Sequence, residues 1–312
     1  MVSGKKVGII LVNWNSRDYT SSCLKSLLDS SSRNQQLVVV DNGSTDDSLN
    51  ALQEQFTGPV TFLKSEKNLG FARGNNIGIR YCLQQGCDYI MLLNNDTEVE
   101  KDFLDKLLST IETHPDIAAI QPKILFLHDK GIIWNAGGFY NPWFGEPKTR
   151  GYGRRNHGQF DQAGKIDWVT GCCLLIKSQV VKEIGLLNSD FFMYVEDLDW
   201  SLRMRAKGYI LYYEPQSVVY HAAGAAYKAR RAGKEGYINP IVHYTTIRNH
   251  IIVLRQSTVF YRIPSVFMYQ AIKLASHGVY FTARRRWNKV RALAWAIEDG
   301  LRDQSRIHFF LK

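Results

Sequence analysis

Four apolar runs of strand length, each ending abruptly before small polar residues, constrain the fold of this 312-residue chain more than any other feature. They occupy residues 7–12, 37–40, 60–64 and 89–93. Helix-compatible segments separate them, so strands and helices alternate along the first third of the chain. This alternation predicts an α/β fold, with a doubly wound, mostly parallel sheet, right-handed crossovers and helices on both faces.

The polar residues that follow these strands are the first candidates for a functional site. The sets that stand out are Asn13 with Asn15, then Asp41, and then Asn94, Asn95 and Asp96. Because open α/β sheets bind ligands at the carboxyl ends of their strands, we expect these side chains to line one cleft. One carboxylate beside two amides suits a hard divalent ion that keeps coordination sites for its substrate. Asp96 therefore predicts a metal–phosphate site, although a plain polar turn explains any one of these loops read alone.

Two common nucleotide-binding classes do not fit the sequence. The glycine-rich stretch at 68–76 lacks Gly-x-Gly-x-x-Gly spacing and the first strand–helix turn has no glycine, which disfavours a Rossmann dehydrogenase. The chain also lacks Gly-x-x-x-x-Gly-Lys-Ser/Thr, which excludes a P-loop NTPase on motif grounds. The five cysteines are odd in number and lack paired two-residue spacing, so the sequence predicts neither a disulfide framework nor a zinc site.

The second half of the chain begins with a looser pattern. From about residue 117, short strand-like stretches alternate with loops rich in glycine, proline and aromatic residues, a composition that often shapes a substrate pocket. Gly171 then leads into the apolar run 172–176, which predicts a strand returning to the sheet.

A second acidic cluster follows. Glu196, Asp197 and Asp199 open a predicted helix, where acids suit the helix dipole and Asp199 can pair with Arg203. This structural explanation accounts for Asp199 better than for the adjacent Glu196 and Asp197, because capping needs only one such side chain. His221 follows a further strand-like stretch, and it is either an ordinary packed residue or a metal ligand.

The charge of the chain is concentrated at its C-terminal end. Residues 222–312 hold 16 Lys and Arg against 4 Asp and Glu, a net charge of +12, whereas the remainder holds 23 against 25, a net charge of −2. Apolar residues recur at helical spacing between 259 and 301, with basic, Trp and Tyr residues among them. The pattern predicts a helical basic appendage with an anionic partner, and the aromatic residues favour a membrane surface over nucleic acid. An amphipathic helix packed on the domain, with a solvated basic face, explains the same pattern.

We expect a body at 1–221, in which the pattern of strands and helices changes at about residue 121, followed by the C-terminal region at 222–312. The longest uncharged apolar stretches are shorter than the roughly 18 residues that span a bilayer, and no hydrophobic signal region precedes the first strand. We therefore expect a cytoplasmic protein attached peripherally to the membrane.

Over residues 7–221 the chain resembles the family 2 glycosyltransferases of GT-A fold, which transfer sugars from nucleotide diphosphates with inversion. The segments that carry the resemblance are 12–15, 41–46, 68–72, 93–96, Gly171 and 192–197. The resemblance implies that Asp41 binds the nucleotide base, that Asp96 holds a divalent cation, Mn²⁺ or Mg²⁺, and that Asp197 is the base that deprotonates the acceptor. It also raises the case for His221 as a further metal ligand. The resemblance further implies that 1–221 is a catalytic domain, with a nucleotide-binding half to about 121 and an acceptor half at about 122–221.

The remaining site residues take supporting parts in this interpretation. Asn13, Asn15 and Asn95 would help to bind the nucleotide, and either Arg73 or Asn75 would contact the pyrimidine. Asn94, Gly171, Glu196 and Asp199 would support the site, and Asn94 stands where the family's Asp-x-Asp motif has its first Asp, which implies weak or exchangeable metal binding.

The motifs Asn-Trp-Asn, Asn-Asn-Asp and 134–138 resemble a branch of rhamnosyltransferases of cell-surface polysaccharide assembly, which implies dTDP-rhamnose as donor and a glycan or lipid-linked acceptor. One alternative is a transferase of another UDP- or dTDP-sugar. The other is a membrane or nucleic-acid binding protein on a degenerate GT-A body, which would need neither Asp96 nor Asp197.

Overall fold

The computed structural model describes residues 4–32, 34–223 and 235–311. The strands are β1 Val7–Asn13, β2 Gln35–Asp41, β3 Val60–Lys64, β4 Tyr89–Leu93, β5 Thr97–Val99, β6 Ile117–Phe126, β7 Asp129–Asn135, β8 Gly138–Asn141, β9 Glu146–Thr149, β10 Gly164–Ile166, β11 Cys173–Lys177 and β12 Ile210–His221. The α-helices are α1 Arg17–Leu28, α2 Ser48–Gln55, α3 Gly70–Gln84, α4 Phe103–Thr113, α5 Ser178–Ile184, α6 Glu196–Ala206, α7 Pro240–Ser257, α8 Ile263–Ala283 and α9 Trp287–Arg302.

In the described part of the chain, ten strands form one sheet in the order β10-β12-β6-β11-β4-β1-β2-β3, with β5 on β12 and β7 on β6. The first four strands are parallel neighbours, and β12 runs parallel to β6. Strand β11 lies antiparallel between β4 and β6. The predicted α/β fold is confirmed, but the direction of β11 could not be read from the sequence, because a buried apolar run looks the same in either direction.

Helices cover both faces of the sheet, and β1 shows how the sequence specifies this. Ile9 and Leu11 pack in one core cluster with Leu24 of α1, whereas Ile10 packs in the other with Ile79 of α3. Successive residues of a strand point to opposite faces, so a strand buried on both sides must be apolar throughout. All five cysteines are free and buried, so they contribute to the core as small apolar side chains.

The region from 117 is more regular than the sequence suggests. Strand β6 runs for ten residues through the middle of the sheet and is buried over nearly its whole length. Its interior contains Gln121, Pro122 and Lys123, and this polar, proline-containing centre hides the strand from a hydrophobicity pattern. The register between β6 and β12 shifts between Glu214 and Val218, next to the proline.

Helices α7, α8 and α9 follow the sheet, which confirms the helical character of the C-terminal region. Tyr244 of α7 donates a hydrogen bond of 2.6 Å to the buried Asp299 of α9. Ile252 and Val253 of α7 pack against Leu198 of α6, so this region contacts the body directly. Residues 224–234, part of the predicted appendage, lie outside the described residues. None of the helices that the structure describes is long and apolar enough to cross a membrane.

Candidate active site

Asp41 is the centre of a buried hydrogen-bond cluster at the ends of β1 and β2. Its Oδ1 accepts hydrogen bonds from Asn13 Nδ2 (3.0 Å) and Ser44 Oγ (2.6 Å), and its Oδ2 accepts one from the Ser44 backbone (3.1 Å). Asp41 is only 1% exposed. Its oxygens retain some acceptor capacity, but they are almost fully shielded from solvent.

A chain of side-chain hydrogen bonds joins this cluster to the end of β4. Asn95 Nδ2 donates to Thr20 Oγ1 (2.8 Å), and Thr20 Oγ1 donates to Asn13 Oδ1 (2.8 Å). Thr20 lies near the start of α1 and is fully buried. The strand ends that the sequence predicts to converge are therefore connected to one another, through a threonine that our sequence analysis did not single out.

Asn15 forms the exposed rim of the same loops. It adopts a left-handed conformation (φ 49°), which Asn tolerates better than most residues. Its Oδ1 accepts from the Thr45 backbone (2.8 Å) and its Nδ2 donates to Thr45 Oγ1 (3.1 Å). Asn15 thus ties the loop after β1 to the loop after β2.

Arg73 and Asn75, the two candidates for a pyrimidine contact, both contact protein groups. Arg73 Nε donates to the carbonyl of Ser189 (2.7 Å), in the loop between α5 and α6. Asn75 is 2% exposed and donates within α3 to the Phe71 carbonyl (2.9 Å). The structure brings neither into the hydrogen-bond cluster of Asp41, and the choice between them stays a prediction.

Asp96 and His221 meet although 125 residues separate them in the sequence. Strand β5 pairs antiparallel with the end of β12, which sets Thr97 opposite His221. Asp96 Oδ1 lies 3.0 Å from His221 Nε2, and Asn94 Nδ2 lies 3.3 Å from the same nitrogen. A carboxylate, an imidazole and an amide therefore gather at the end of β4, where the sequence predicts a metal.

This donor set fits a weakly held divalent ion. Among the described residues, no group of three or more His, Cys, Asp or Glu side chains could hold a metal ion. Asp96 and His221 would supply two protein ligands, so further coordination would have to come from a substrate or water. The buried Nδ1 of His221 has no hydrogen-bond partner in the described part of the chain, whereas metal-binding histidines usually donate from this second nitrogen. The ring is instead oriented by Trp134, whose centroid lies 4.4 Å away in an edge-on contact.

Asp197 lies at the start of α6, beside the loop that leads into β11. Its Oδ2 accepts from the Gly171 backbone (2.9 Å) and its Oδ1 accepts from the Leu198 backbone (2.8 Å). Burial raises the pKa of Asp197 above its usual value, and these hydrogen bonds limit the rise. A half-buried carboxylate with a raised pKa is suited to accept a proton near neutral pH.

The adjacent Glu196 points into the protein. It is 6% exposed, and its Oε2 has no hydrogen-bond partner among the described residues. Burial, followed by the charge of Asp197, raises the pKa of Glu196 well above its usual value. Of the two neighbouring carboxyl groups, Asp197 is therefore the more accessible.

Asp199 is a structural residue in this arrangement. Its Oδ2 accepts from Arg203 Nε (2.9 Å) and lies 2.8 Å from Nη2, the i,i+4 pair expected from the sequence. The same guanidinium donates to the carbonyls of Ile184 and Leu186, so it ties α6 to the end of α5.

Two buried polar side chains support the Gly171 loop, and neither was a candidate site residue in the sequence. Gln121, fully buried in β6, accepts from the Thr170 backbone (3.0 Å) and donates to Asn135 Oδ1 (3.0 Å). Asn135 belongs to the Trp-Asn-Ala-Gly-Gly segment at 134–138. A polar residue inside an apolar strand was the available signal for Gln121.

The two sides of the site meet at the start of β11. The Cys172 carbonyl accepts from the Asn94 backbone (2.8 Å), so the Gly171 loop lies directly against the end of β4. Burial raises the pKa of the Cys172 thiol well above its usual value, and the charges of both Asp96 and Asp197 add to the rise. Cys172 therefore lies close to both Asp96, the candidate metal ligand, and Asp197, the candidate base.

The chain is similar in sequence to known glycosyltransferases. The sequence model described as glycosyl transferase family 2 matches residues 8–185, more than half of the chain. The chain is 30% identical over 207 residues to the low-salt glycan biosynthesis hexosyltransferase Agl10 of Haloferax volcanii, covering 64% of this chain and 61% of that protein. It is 23% identical over 300 residues to the N-acetylglucosaminyl-diphospho-decaprenol L-rhamnosyltransferase of Mycobacterium tuberculosis, covering 89% and 94%. It is 24% identical over 197 residues to the dTDP-rhamnosyl transferase RfbF of Shigella flexneri, covering 62% of each.

Two solved structures show the same fold. A crystal structure of GalNAc-T7 with UDP, GalNAc and Mn²⁺ aligns with a TM-score of 0.60 at 16% identity, covering 80% of this chain and 48% of that one. S. aureus TarS aligns with a TM-score of 0.56 at 13% identity, covering 85% and 43%. The fold is the GT-A fold of glycosyltransferases. The chain belongs to glycosyltransferase family 2.

Proposed function

We propose that the protein is an inverting, metal-dependent glycosyltransferase that moves a sugar from a nucleotide diphosphate to a glycan or lipid-linked acceptor. The observation that carries the proposal is the meeting of three groups at one edge of the sheet. These are the Asp41 cluster, the Asp96–His221 pair and the carboxylate of Asp197. The Gly171–Cys172 segment lies between the last two.

The donor is bound at the ends of β1, β2 and β4. Asn13, Asn15 and Asn95 hold the loops in place, and Asp41 contacts the base once the Ser44 loop shifts. Hydrogen bonds already fix the ends of β1 and β4 to each other, so only the Ser44 loop has to rearrange when the donor binds.

Asp96 and His221 would hold a divalent cation together with the donor diphosphate. When bound, the cation acts as a Lewis acid that stabilises negative charge on the leaving diphosphate. Asn94 and Trp134 keep the imidazole oriented toward Asp96.

Asp197 accepts the proton of the acceptor hydroxyl as that oxygen bonds to the anomeric carbon. Its raised pKa brings its basicity closer to neutral pH, and its hydrogen bond from Gly171 fixes the direction of its carboxylate. One displacement with no protein nucleophile inverts the anomeric configuration.

The donor we favour is dTDP-rhamnose. Two of the relatives carry rhamnosyl transfer in their names, and one of these matches over 94% of its own length. Another UDP- or dTDP-sugar is the alternative, because other relatives are named as a hexosyltransferase and as a poly-N-acetylglucosamine synthase.

A screen of nucleotide sugars for thermal stabilisation, with Mn²⁺, with Mg²⁺ and in EDTA, tests the proposal. A ligand that binds only the native state raises the melting temperature by mass action. We expect one donor, with a metal, to stabilise the protein most and to be consumed when an acceptor is added. A protein that no nucleotide sugar stabilises, but that binds lipid or nucleic acid, would be a non-catalytic binding protein instead.

We also propose that α8 attaches the enzyme peripherally to an anionic membrane surface, where a lipid-linked acceptor is presented. Phe267, Met268, Ile272 and Val279 are each between 65% and 73% exposed. Their spacing places them on one side of the helix. Lys273 is the one residue of α8 with a formal charge, and it pairs with Glu146 (2.7 Å).

Positive charge is concentrated at one end of this apolar face. Of the other basic residues described in this region, Arg248 and Lys289 are buried and Arg255, Arg302 and Arg306 form ion pairs, whereas Arg262 and Arg286 are half-buried and Arg291 is exposed. Arg284 and Arg285 follow α8 and are exposed, next to the exposed Trp287. An exposed apolar helix with arginine and tryptophan at its end suits a helix lying in the plane of an anionic bilayer.

Flotation with vesicles of neutral or anionic phospholipid tests the attachment. We expect binding to anionic vesicles that weakens with salt and is largely lost in the double variant Phe267→Gln, Ile272→Gln. Tyr152→Gln is the control, since Tyr152 is 62% exposed on the loop after β9. Retained binding by the double variant, or a dimer in sedimentation that the double variant abolishes, would assign this face to something other than lipid.

A further inference from the structure

The turn that leads into the acidic start of α6 has an unusual backbone. Tyr194 and Val195 both have left-handed conformations, with φ angles of 67° and 73°, directly before Glu196 and Asp197. A left-handed backbone is uncommon outside glycine and is an outlier for a β-branched residue such as Val195. Such conformations persist only where the surrounding contacts impose them.

The contacts that impose this turn come from α7. Asn249 Nδ2 donates to the carbonyls of Met193 (3.1 Å) and Tyr194 (2.9 Å), the two peptide groups that set the turn. Asn249 is 1% exposed, so these hydrogen bonds form without competition from water.

Arg248, the preceding residue, holds Asn249 in this orientation. Its Nη1 donates to Asn249 Oδ1 (2.8 Å) and to the Asp190 carbonyl (3.1 Å), and its Nε donates to the Gln304 carbonyl. At the other end of the segment, the Phe192 carbonyl accepts from the Phe71 backbone (2.6 Å). The segment 190–195 is therefore held between α7 and the N-terminal end of α3.

We propose that Asn249, oriented by Arg248, is a positioning residue for Asp197. It fixes the left-handed turn that aims the first residues of α6, and so it keeps the Asp197 carboxylate against Gly171. This inference rests on the proposed role of Asp197 as the base. Helix α7 lies outside residues 8–185, the part of the chain that matches the family. The inference therefore gives this helix a part in setting the reaction geometry.

The test compares Asn249→Leu with Thr245→Val. Both residues are buried in α7, but the hydroxyl of Thr245 donates to the carbonyls of Ile241 and Val242 within its own helix. We expect Asn249→Leu to reduce turnover by roughly ten- to a hundredfold, with little change in the KM for donor or in stabilisation by the nucleotide diphosphate. Hydrogen–deuterium exchange should increase in a peptide covering 189–200. Thr245→Val should leave both close to wild type.

A second-site change separates positioning from a general loss of packing. Val195→Gly removes the side chain that makes the left-handed turn costly, so the turn needs less support. We expect Val195→Gly to restore part of the turnover lost in Asn249→Leu, which it could not do if the loss came from a cavity in α7.

The outcomes distinguish this inference from the proposed function. If wild type transfers sugar and Asn249→Leu keeps normal turnover, or if the Val195→Gly change rescues nothing, Asn249 is not a positioning residue and the proposed function stands. If wild type transfers no sugar, the proposed function fails. Hydrogen–deuterium exchange over 189–200 then still shows whether Asn249 holds the turn. If exchange in Asn249→Leu equals that in wild type, Asn249 does not hold the turn either.

Discussion

The two sides of the cleft are built in different ways. On the nucleotide side, which is the side proposed to bind the donor, Asn13 and Asp41 end neighbouring strands and Asn95 follows the end of β4. Hydrogen bonds of 2.8 to 3.0 Å join these residues, and Thr20 of α1 is the link between Asn13 and Asn95. On the acceptor side, which is the side of the proposed base, a buried glutamine of β6 holds the loop next to Asp197, and an asparagine of α7 donates to the left-handed turn that precedes it. The geometry of the first side therefore follows from consecutive strand–helix units, whereas the geometry of the second depends on contacts between residues distant in sequence.

The largest effect should come from Asp197→Asn, which keeps the shape of the side chain and removes its basicity. We expect turnover to fall by roughly 10²–10⁴-fold with donor affinity nearly intact, because the lost interaction belongs to the chemical step on the acceptor side. Steady-state kinetics together with calorimetric titration of the nucleotide diphosphate measure both. The control is Glu196→Gln, since Glu196 points into the protein. A comparable collapse in the control, or near-normal turnover in Asp197→Asn, would assign the wrong carboxylate.

The next effect concerns the metal. Asp96 and His221 are too few to hold an ion tightly, so metal and diphosphate should bind cooperatively, with a coupling of about 5–150-fold. Calorimetry with Mn²⁺ and in EDTA measures the coupling directly. We expect Asp96→Ala to abolish it. If the diphosphate binds equally well with and without metal, and Asp96→Ala leaves its affinity unchanged, then no metal takes part in donor binding.

A smaller effect tests how firmly the nucleotide side is joined. Thr20→Val keeps the shape of Thr20 but leaves Asn13 Oδ1 and Asn95 Nδ2 without this partner. Breaking a buried hydrogen bond in this way should cost about 1–3 kcal/mol of the free energy of unfolding, measured with urea. Thr113→Val, at the exposed end of α4, should cost little. If both variants are equally stable, the chain of hydrogen bonds does not hold this side together.

The smallest effect is a pH dependence on the acceptor side. Burial raises the pKa of Glu196 in the folded protein, so the native state binds this proton more tightly than the unfolded state does. The free energy of unfolding therefore decreases as pH rises from the usual Glu value toward the raised pKa. Glu196→Gln removes this dependence, so the variant should gain stability relative to wild type as pH rises. A difference that does not change with pH would show that Glu196 is not buried as a carboxyl group.

The two sides of the cleft also differ in how much of their structure the sequence could predict. The strand ends were predictable because an apolar run followed by Asn94, Asn95 and Asp96 is a local pattern, and the parallel topology then brings such ends together. The contact between Asp96 and His221 was not, because it depends on β5 pairing with the end of β12. Asn249 carried no local signal, since a buried asparagine in an amphipathic helix is recognised only from the carbonyl groups that it meets.

NMR of the product shows the anomeric configuration of the transferred sugar, after reaction with the donor that stabilises the protein most. This configuration decides whether the transfer is a single displacement. A single displacement, with Asp197 as base and no protein nucleophile, predicts a product of inverted configuration relative to the nucleotide sugar. A product of retained configuration would require a covalent intermediate or front-side attack and would contradict the account of both sides of the cleft. Failure of every nucleotide sugar to yield a glycoside would contradict the proposed function itself.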